Sequence, residues 1–358
     1  MSHEEAVVIG AGPIGIEMGA NLKANGIRYR HLEAGQIGSS IMWWPPSTLF
    51  FSSPEWVAIA GIPIHTSAQE IITGEQYLAY LRLVVELLDL QVETYRRVTR
   101  IEKPAGKDLP GGGRYLLTVE DRCGTEYIYT DRIILATGDM SSPRMLGIEG
   151  EDLPHVSHYF TDPHRFFQKE LLIVGGRNSA LEAALRCWRT GARVSLSYRK
   201  PRIPSDRVIS RLLLEVELLV QRGQITFYPE TVPVRITNTE VELAPAGGAG
   251  GGSLRIPSDF VLLCTGFVPD QSLFDQLEIE RAGVELRPVV NPDTQETSRD
   301  GVYAAGTAAA GDQQTYRTFI ATSHAHVERI IRHIKPNAEV KLGNLSTRNY
   351  PLNSMDIE

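Results

Sequence analysis

Cysteine is scarce: 358 residues include only Cys123, Cys187 and Cys264, and none of them forms a C-x-x-C pair. That argues against a disulfide scaffold and a zinc ribbon, and it fits a reducing cytoplasm. Long apolar runs are missing too. The longest, around Leu81 to Leu90, is broken by Arg82, Glu86 and Asp89, whereas a membrane span needs ~20 apolar residues. The opening Met1-Ser2-His3-Glu4-Glu5 has no positive n-region and runs straight into a strand, so no signal peptide is expected. Charge of one sign never gathers. The net charge of -7 is spread along the chain, and nothing points to a nucleic-acid partner. Nine histidines stand without cysteine or carboxylate ligands at supporting spacing, so no metal site is expected.

What is present is a repeated dinucleotide-binding signature. A hydrophobic content of 42% supplies two full cores. The short apolar strand Ala6-Val7-Val8-Ile9 leads into Gly10-Ala11-Gly12-Pro13-Ile14-Gly15, then into an amphipathic helix to about Asn25. Gly26 closes that helix, and a second strand, Tyr29 to Leu32, ends at Glu33. The same order returns far downstream. Leu171 to Val174 is the strand, Gly175-Gly176-Arg177-Asn178-Ser179-Ala180 the turn, Leu181 to Arg189 the helix and Arg193 to Ser197 the next strand. Two such units imply two nucleotide-binding domains. Strands are also expected at Ile133-Ile134-Leu135, at Phe260 to Cys264 and at Gly301 to Ala305, with a helix from about Phe319 to His333. The final third reads as returning to the first domain. The fold class expected is α/β, with two Rossmann-like three-layer domains, the second inserted in the first. The expected boundaries are 1–153 with 288–358 for the first domain and 154–287 for the second. The glycine- and alanine-rich stretch 244–253 reads as a hairpin tip.

The chemistry follows from the turns. Gly10 makes a tight bend, Gly12 lets the backbone reach a pyrophosphate, and Gly15 lets helix and strand pack closely, with Pro13 between them at the helix start. Glu33, about twenty residues on, suits a ribose diol. The plainer reading is a glycine-rich turn in an ordinary α/β protein. The strand before, the helix after and Glu33 together favour the dinucleotide. In the second turn Gly175 bends the chain, and Arg177 stands where a glycine is usual, followed by Asn178 and Ser179. The next strand ends in Tyr198-Arg199-Lys200, with no acid where a ribose diol needs one. Arg199 and Lys200 there suit a 2′-phosphate, which favours NADPH over NADH; a solvated basic loop is the alternative.

These turns resemble the thioredoxin-reductase-like pyridine nucleotide–flavin oxidoreductases. The likeness is joined by Ala136-Thr137-Gly138, Cys264-Thr265-Gly266-Phe267-Val268-Pro269-Asp270 and Gly301-Val302-Tyr303-Ala304-Ala305-Gly306. Within that group, Gly175 to Ala180, Phe50-Phe51-Ser52-Ser53, Ala308 to Asp312 and Phe319-Ile320 with His326 are similar to the YpdA-type bacillithiol disulfide reductases. The resemblance implies FAD on the first turn, with Phe51, Ser52, Ala136, Thr137, Gly138, Gly306 and Thr307 around it, and NADPH on the second. It implies a cytoplasmic homodimer passing electrons to a small-molecule or small-protein acceptor, such as bacillithiol disulfide. It also places the helix of His324 and His326 beside the isoalloxazine, where a histidine can donate a proton; a surface histidine is the other reading.

Three departures matter. The C-x-x-C of thioredoxin reductases is missing, and Ile14 stands where YpdA-type proteins often carry cysteine. Thr307 stands where many relatives have an aspartate touching the ribityl chain. Two alternatives therefore stay open: a ferredoxin or flavodoxin–NADP reductase, which also lacks the dithiol, and a flavin-holding redox sensor whose second site has decayed.

Overall fold

The computed structural model describes residues 2–67, 70–103, 113–248, 252–313 and 317–343. Two compact units emerge. The larger comprises residues 1–43, 47–142 and 268–358, and the smaller comprises 44–46 and 143–267.

The larger unit is built on a five-stranded parallel sheet in the order Val302–Ala304, Ile133–Leu135, Ala6–Ile9, Tyr29–Leu32, Val92–Glu93. The central strand is buried along its whole length, as a run without alternation requires when both faces of a parallel sheet are covered. The last strand of the chain pairs in register with Ile133–Leu135, Val302 opposite Ile133 and Ala304 opposite Leu135. The final third thus completes the first sheet. Helix Pro13–Ala24 starts with proline in its first turn, where the missing N–H costs no bond, and Gly26 ends it at φ +68. This helix and the C-terminal helix Ile320–Ile334 cover one face through Met18, Leu22, Val327, Ile330 and Ile331. The other face packs on a four-stranded sheet, Ser2–Glu4, Gly124–Thr130, Tyr115–Asp121 and Arg97–Glu102, through Tyr115, Leu117 and Ile128. Helix Gly74–Leu87 opens with a capping box, in which Thr73 and Gln76 exchange side-chain-to-backbone hydrogen bonds.

The smaller unit repeats the plan. Its parallel sheet runs Val156–Ser157, Phe260–Leu263, Glu170–Val174, Arg193–Tyr198, Ile225–Pro229. Helices Asn178–Arg189 and Ser210–Gln221 bury Leu181, Ala184, Leu213 and Val216 in its core. A three-stranded antiparallel sheet, Thr231–Ile236, Glu240–Pro245 and Leu254–Pro257, packs on the other side. The glycine-rich tip joins its last two strands; residues 249–251 of that tip lie outside the described residues, as do 344–358 of the expected first domain.

The unit boundaries differ from those expected at 153/154 and 287/288. Ile148 and Leu153 pack on the core of Leu172, Val174 and Val261, so the stretch from 143 belongs to the smaller unit. Leu273, Phe274, Leu277 and Ile279 sit in the core with Val7 and Ile9, so the chain rejoins the larger unit at 268. Glycines and prolines mark turns on the path between units, but buried apolar side chains decide ownership.

Candidate functional site

Three loops meet at the carboxyl edge of the first sheet, the edge where open α/β sheets bind ligands. The first is the glycine turn. Gly10 adopts φ +108, and a Cβ there would lie 2.4 Å from the Ala136 carbonyl oxygen. A Cβ on Gly15 would lie 2.0 Å from the Gly10 carbonyl oxygen. Gly12 differs: a Cβ would meet nothing within 4 Å. Gly10 and Gly15 are therefore glycine because the protein itself fills the space. At Gly12 the space is open, ahead of the unpaired amides of the Pro13–Ala24 helix. That is a cradle a pyrophosphate fits.

Glu33 accepts from the Ala11 amide at 2.7 Å through Oε2 and from the Gly35 amide at 2.7 Å through Oε1. Oε1 also accepts from the Ser39 hydroxyl at 3.3 Å, so the carboxylate is fixed beside the turn and Oε2 keeps a lone pair for a ribose hydroxyl. His31 braces the same turn. Its Nε2–H donates to the Gly10 carbonyl at 2.9 Å, and full burial lowers its pKa to about 4, so the ring is neutral.

The second loop is Ala136-Thr137-Gly138, with Gly138 at φ +75 and the Thr137 hydroxyl buried without a partner among the described residues. The third starts at Gly306, whose φ is +68 and whose missing Cβ would touch Ile14 at 3.3 Å. The side chain at the position often held by cysteine in YpdA-type proteins therefore packs against this glycine. Thr307 follows directly. Its hydroxyl hydrogen-bonds Asp139, which is 7% exposed and accepts from Gln313 Nε2 at 3.0 Å. Burial raises the Asp139 pKa, against hydrogen bonds from Gln313 and Thr307 that lower it. The acid is present at this edge, but on the neighbouring loop. The signal the sequence offers for Asp139 is its position directly after Ala136-Thr137-Gly138. Phe51 is 55% exposed, whereas Phe50 is buried against Tyr77 with ring centroids 4.6 Å apart. Ser52 is half-buried beside Phe51.

The two histidines part company. His324 is buried, and its Nδ1 lies 2.6 Å from Oε2 of Glu17, which is itself fully buried. Glu17 Oε1 accepts from the amides of Ala60 and Gly343 at 2.8 and 2.7 Å. Burial lowers the His324 pKa, and the Glu17 charge and hydrogen bond outweigh it, for a net rise. The pair fastens the first helix to the C-terminal helix. A direct proton-donor role for His324 is therefore set aside, because its charge and its N–H are already committed. His326 is half-buried, with Nδ1 unpartnered among the described residues and a pKa lowered by burial to about 4.

In the smaller unit Gly175 adopts φ +150, with the Cys264 carbonyl 2.8 Å from where its Cβ would be. Gly176 lies under the Tyr198 ring, 2.6 Å from an ideal Cβ. Asn178 Oδ1 accepts from the Ile209 amide at 2.9 Å, a structural duty, while Arg177 is half-buried and Ser179 exposed at the helix start. Arg199 and Lys200 are exposed just past Tyr198 and make no ion pair among the described residues. Of the three thiols, Cys187 and Cys264 are pushed up to about 12 by burial, and Cys123 sits in the exposed hairpin turn after Asp121. Neither of those two thiols ionises near neutral pH.

A family model described as pyridine nucleotide-disulphide oxidoreductase matches residues 7–306. The bacilliredoxin reductase Bdr of Bacillus subtilis is 32% identical over 327 residues, 91% of this chain and 96% of that protein. The ferredoxin–NADP reductase of Ignicoccus hospitalis is 24% identical over 306 residues, 84% and 89% of the two chains. Among solved structures, bacillithiol disulfide reductase Bdr (YpdA) from Bacillus cereus matches with a TM-score of 0.85 and 29% identity, covering 93% of this chain and 98% of that one.

Proposed function

Since the chain belongs to the pyridine nucleotide-disulphide oxidoreductase family, we propose that it is an FAD-dependent reductase that spends NADPH on a low-molecular-weight disulfide, bacillithiol disulfide being the named substrate of its relative from Bacillus cereus. One observation carries the reading: the first glycine turn is packed shut at Gly10 and Gly15 and open at Gly12.

FAD, when bound, supplies the two-electron chemistry; the chain supplies binding, orientation and electrostatics. Gly12 and the helix start behind Pro13 hold the pyrophosphate, and Glu33 takes the ribose hydroxyls. Thr137 has the hydroxyl left to pair, Gly138 and Gly306 keep the edge open, and Thr307 presents the Asp139 carboxylate to it. Phe51 is free to turn its ring onto the cofactor, with Ser52 beside it. His326, neutral at working pH, offers a hydrogen bond and no stored proton. In the smaller unit Gly175, Arg177, Asn178 and Ser179 form the second nucleotide turn, and Arg199 and Lys200 face the 2′-phosphate of NADPH. The chain has no C-x-x-C dithiol to relay electrons, so the acceptor would have to approach the group held on the first turn directly. A cytoplasmic homodimer is the setting that goes with this reading; among the described residues no helix is long and apolar enough to cross a membrane.

Steady-state turnover tests the acceptor. FAD-loaded protein should consume one NADPH per two thiols released from bacillithiol disulfide. Reduction of ferredoxin or flavodoxin, with every disulfide left intact, would select the electron-transferase reading instead.

A further inference from the structure

A cavity of about 250 Å³ in the larger unit is lined by Glu285, Arg287, Ala310, Gln313, Arg317 and Thr318. Its inner wall is shared with the cofactor edge. Ala310 ends the short 3-10 turn that begins at Gly306 and carries Thr307. Gln313 donates inward to Asp139 at 3.0 Å, while its Oε1 accepts from the amides of Arg317 and Thr318, each at 3.0 Å. On the outer side stand Arg287, from the small ladder Arg281–Ala282 with Arg287–Pro288, and Glu285 from its turn. The ladder is tied down where the Asp312 amide donates to the Glu285 carbonyl at 2.7 Å. Gly311, at φ +64, permits that approach, since a Cβ there would lie 2.2 Å from the same carbonyl.

Two guanidinium groups and one carboxylate border this small space. Arg287 leans on Glu285 at 3.4 Å, and Arg317 is exposed with no ion pair among the described residues. Forks of N–H donors held at a cavity select planar anions, above all carboxylates. We propose that this cavity receives one end of the acceptor, a small disulfide carrying carboxylate and ammonium groups. Arg287 and Arg317 take the carboxylates, and Glu285 takes the ammonium group. Whole small-molecule ligands fill roughly 300–1,000 Å³, so this cavity takes only an end of such a ligand. The rest of the acceptor, with its sulfur–sulfur bond, then extends out of the cavity.

The reaction balances without a further reductant. NADPH gives up a hydride, whose two electrons break the S–S bond, and a solvent proton completes the pair: NADPH + H⁺ + RSSR gives NADP⁺ + 2 RSH. This inference rests on the disulfide-reductase reading above.

The test uses the FAD-loaded protein and the single variants Arg287→Ala and Arg317→Ala, both at exposed positions that tolerate truncation. Calorimetry on the oxidised holoprotein measures binding of bacillithiol disulfide, and kinetics compare it with neutral bis(2-hydroxyethyl) disulfide. Each variant should bind bacillithiol disulfide on the order of 10–100-fold more weakly. The kcat/KM preference for the charged over the neutral disulfide should fall in step. Equal losses for both disulfides, or unchanged binding, would overturn the assignment. If wild-type protein reduces bacillithiol disulfide and the variants match it, only the cavity assignment fails. If wild-type protein reduces neither disulfide, the disulfide reading fails and takes the cavity with it.

Discussion

The two glycine turns look alike in sequence and differ in what surrounds them. At the first, the protein fills the space beside Gly10 and Gly15 and leaves Gly12 open, with Glu33 pinned by two backbone amides beside it. At the second, Tyr198 lies over Gly176, Asn178 is spent on the Ile209 amide, and exposed cations replace the acid. The first is a rigid cradle with its recognition group fixed in advance, suited to a cofactor that stays. The second offers exposed charge instead of a fixed acid, which on the proposed reading suits a cofactor that comes and goes.

The largest effect expected from that contrast is at Gly12. Gly12→Val should fold, since φ -72 suits any residue and its Cβ meets nothing, yet purify without flavin. Gly15→Ala should instead lose fold stability, by about 1–3 kcal/mol or more, because its Cβ collides with the Gly10 carbonyl. Thermal melts with and without added FAD separate the two.

His31 braces the first turn only, and its pKa near 4 makes that brace acid-sensitive. A depressed folded pKa means that the neutral ring stabilises the fold above pH ~6.5. The contribution is lost as pH falls through about 4 and amounts to about 3 kcal/mol. A His31→Asn variant should show a flatter fall in stability between those limits, followed by denaturant titration at each pH. An unchanged acid limb would mean that His31 is not the group taking up the proton.

At the second turn, replacing Arg199 and Lys200 together by alanine should weaken NADPH binding by about 1–3 kcal/mol and leave NADH nearly unaffected. Equal losses for both nucleotides would remove the 2′-phosphate assignment. The smallest effect is expected at Asn178: its change to alanine strands the Ile209 amide and should cost about 1 kcal/mol of stability.

Much of this was legible in the chain. Strand, glycine turn, helix and strand follow from apolar runs of four or five residues and from the spacing of Gly10, Gly12 and Gly15. The return of the final third to the first domain is legible as well, although the pairing of Val302–Ala304 with Ile133–Leu135 is visible only in the fold. What escaped depended on distant partners. His324 reads as a candidate acid until Glu17, 307 positions away in the chain, is seen to hold it. Asp139 gives no sign of its place at the edge until Thr307 and Gln313 are seen to close on it. The unit boundaries moved because Ile148 and Phe274 follow the cores they pack in, which turn residues do not report.

The central claim is that NADPH hands its electrons to a flavin held on the first turn. Anaerobic titration of the FAD-loaded chain with NADPH, followed at the flavin absorbance band, tests it most directly. One equivalent should bleach the band, and air should restore it. A band that stays at full height while NADPH persists would contradict the account.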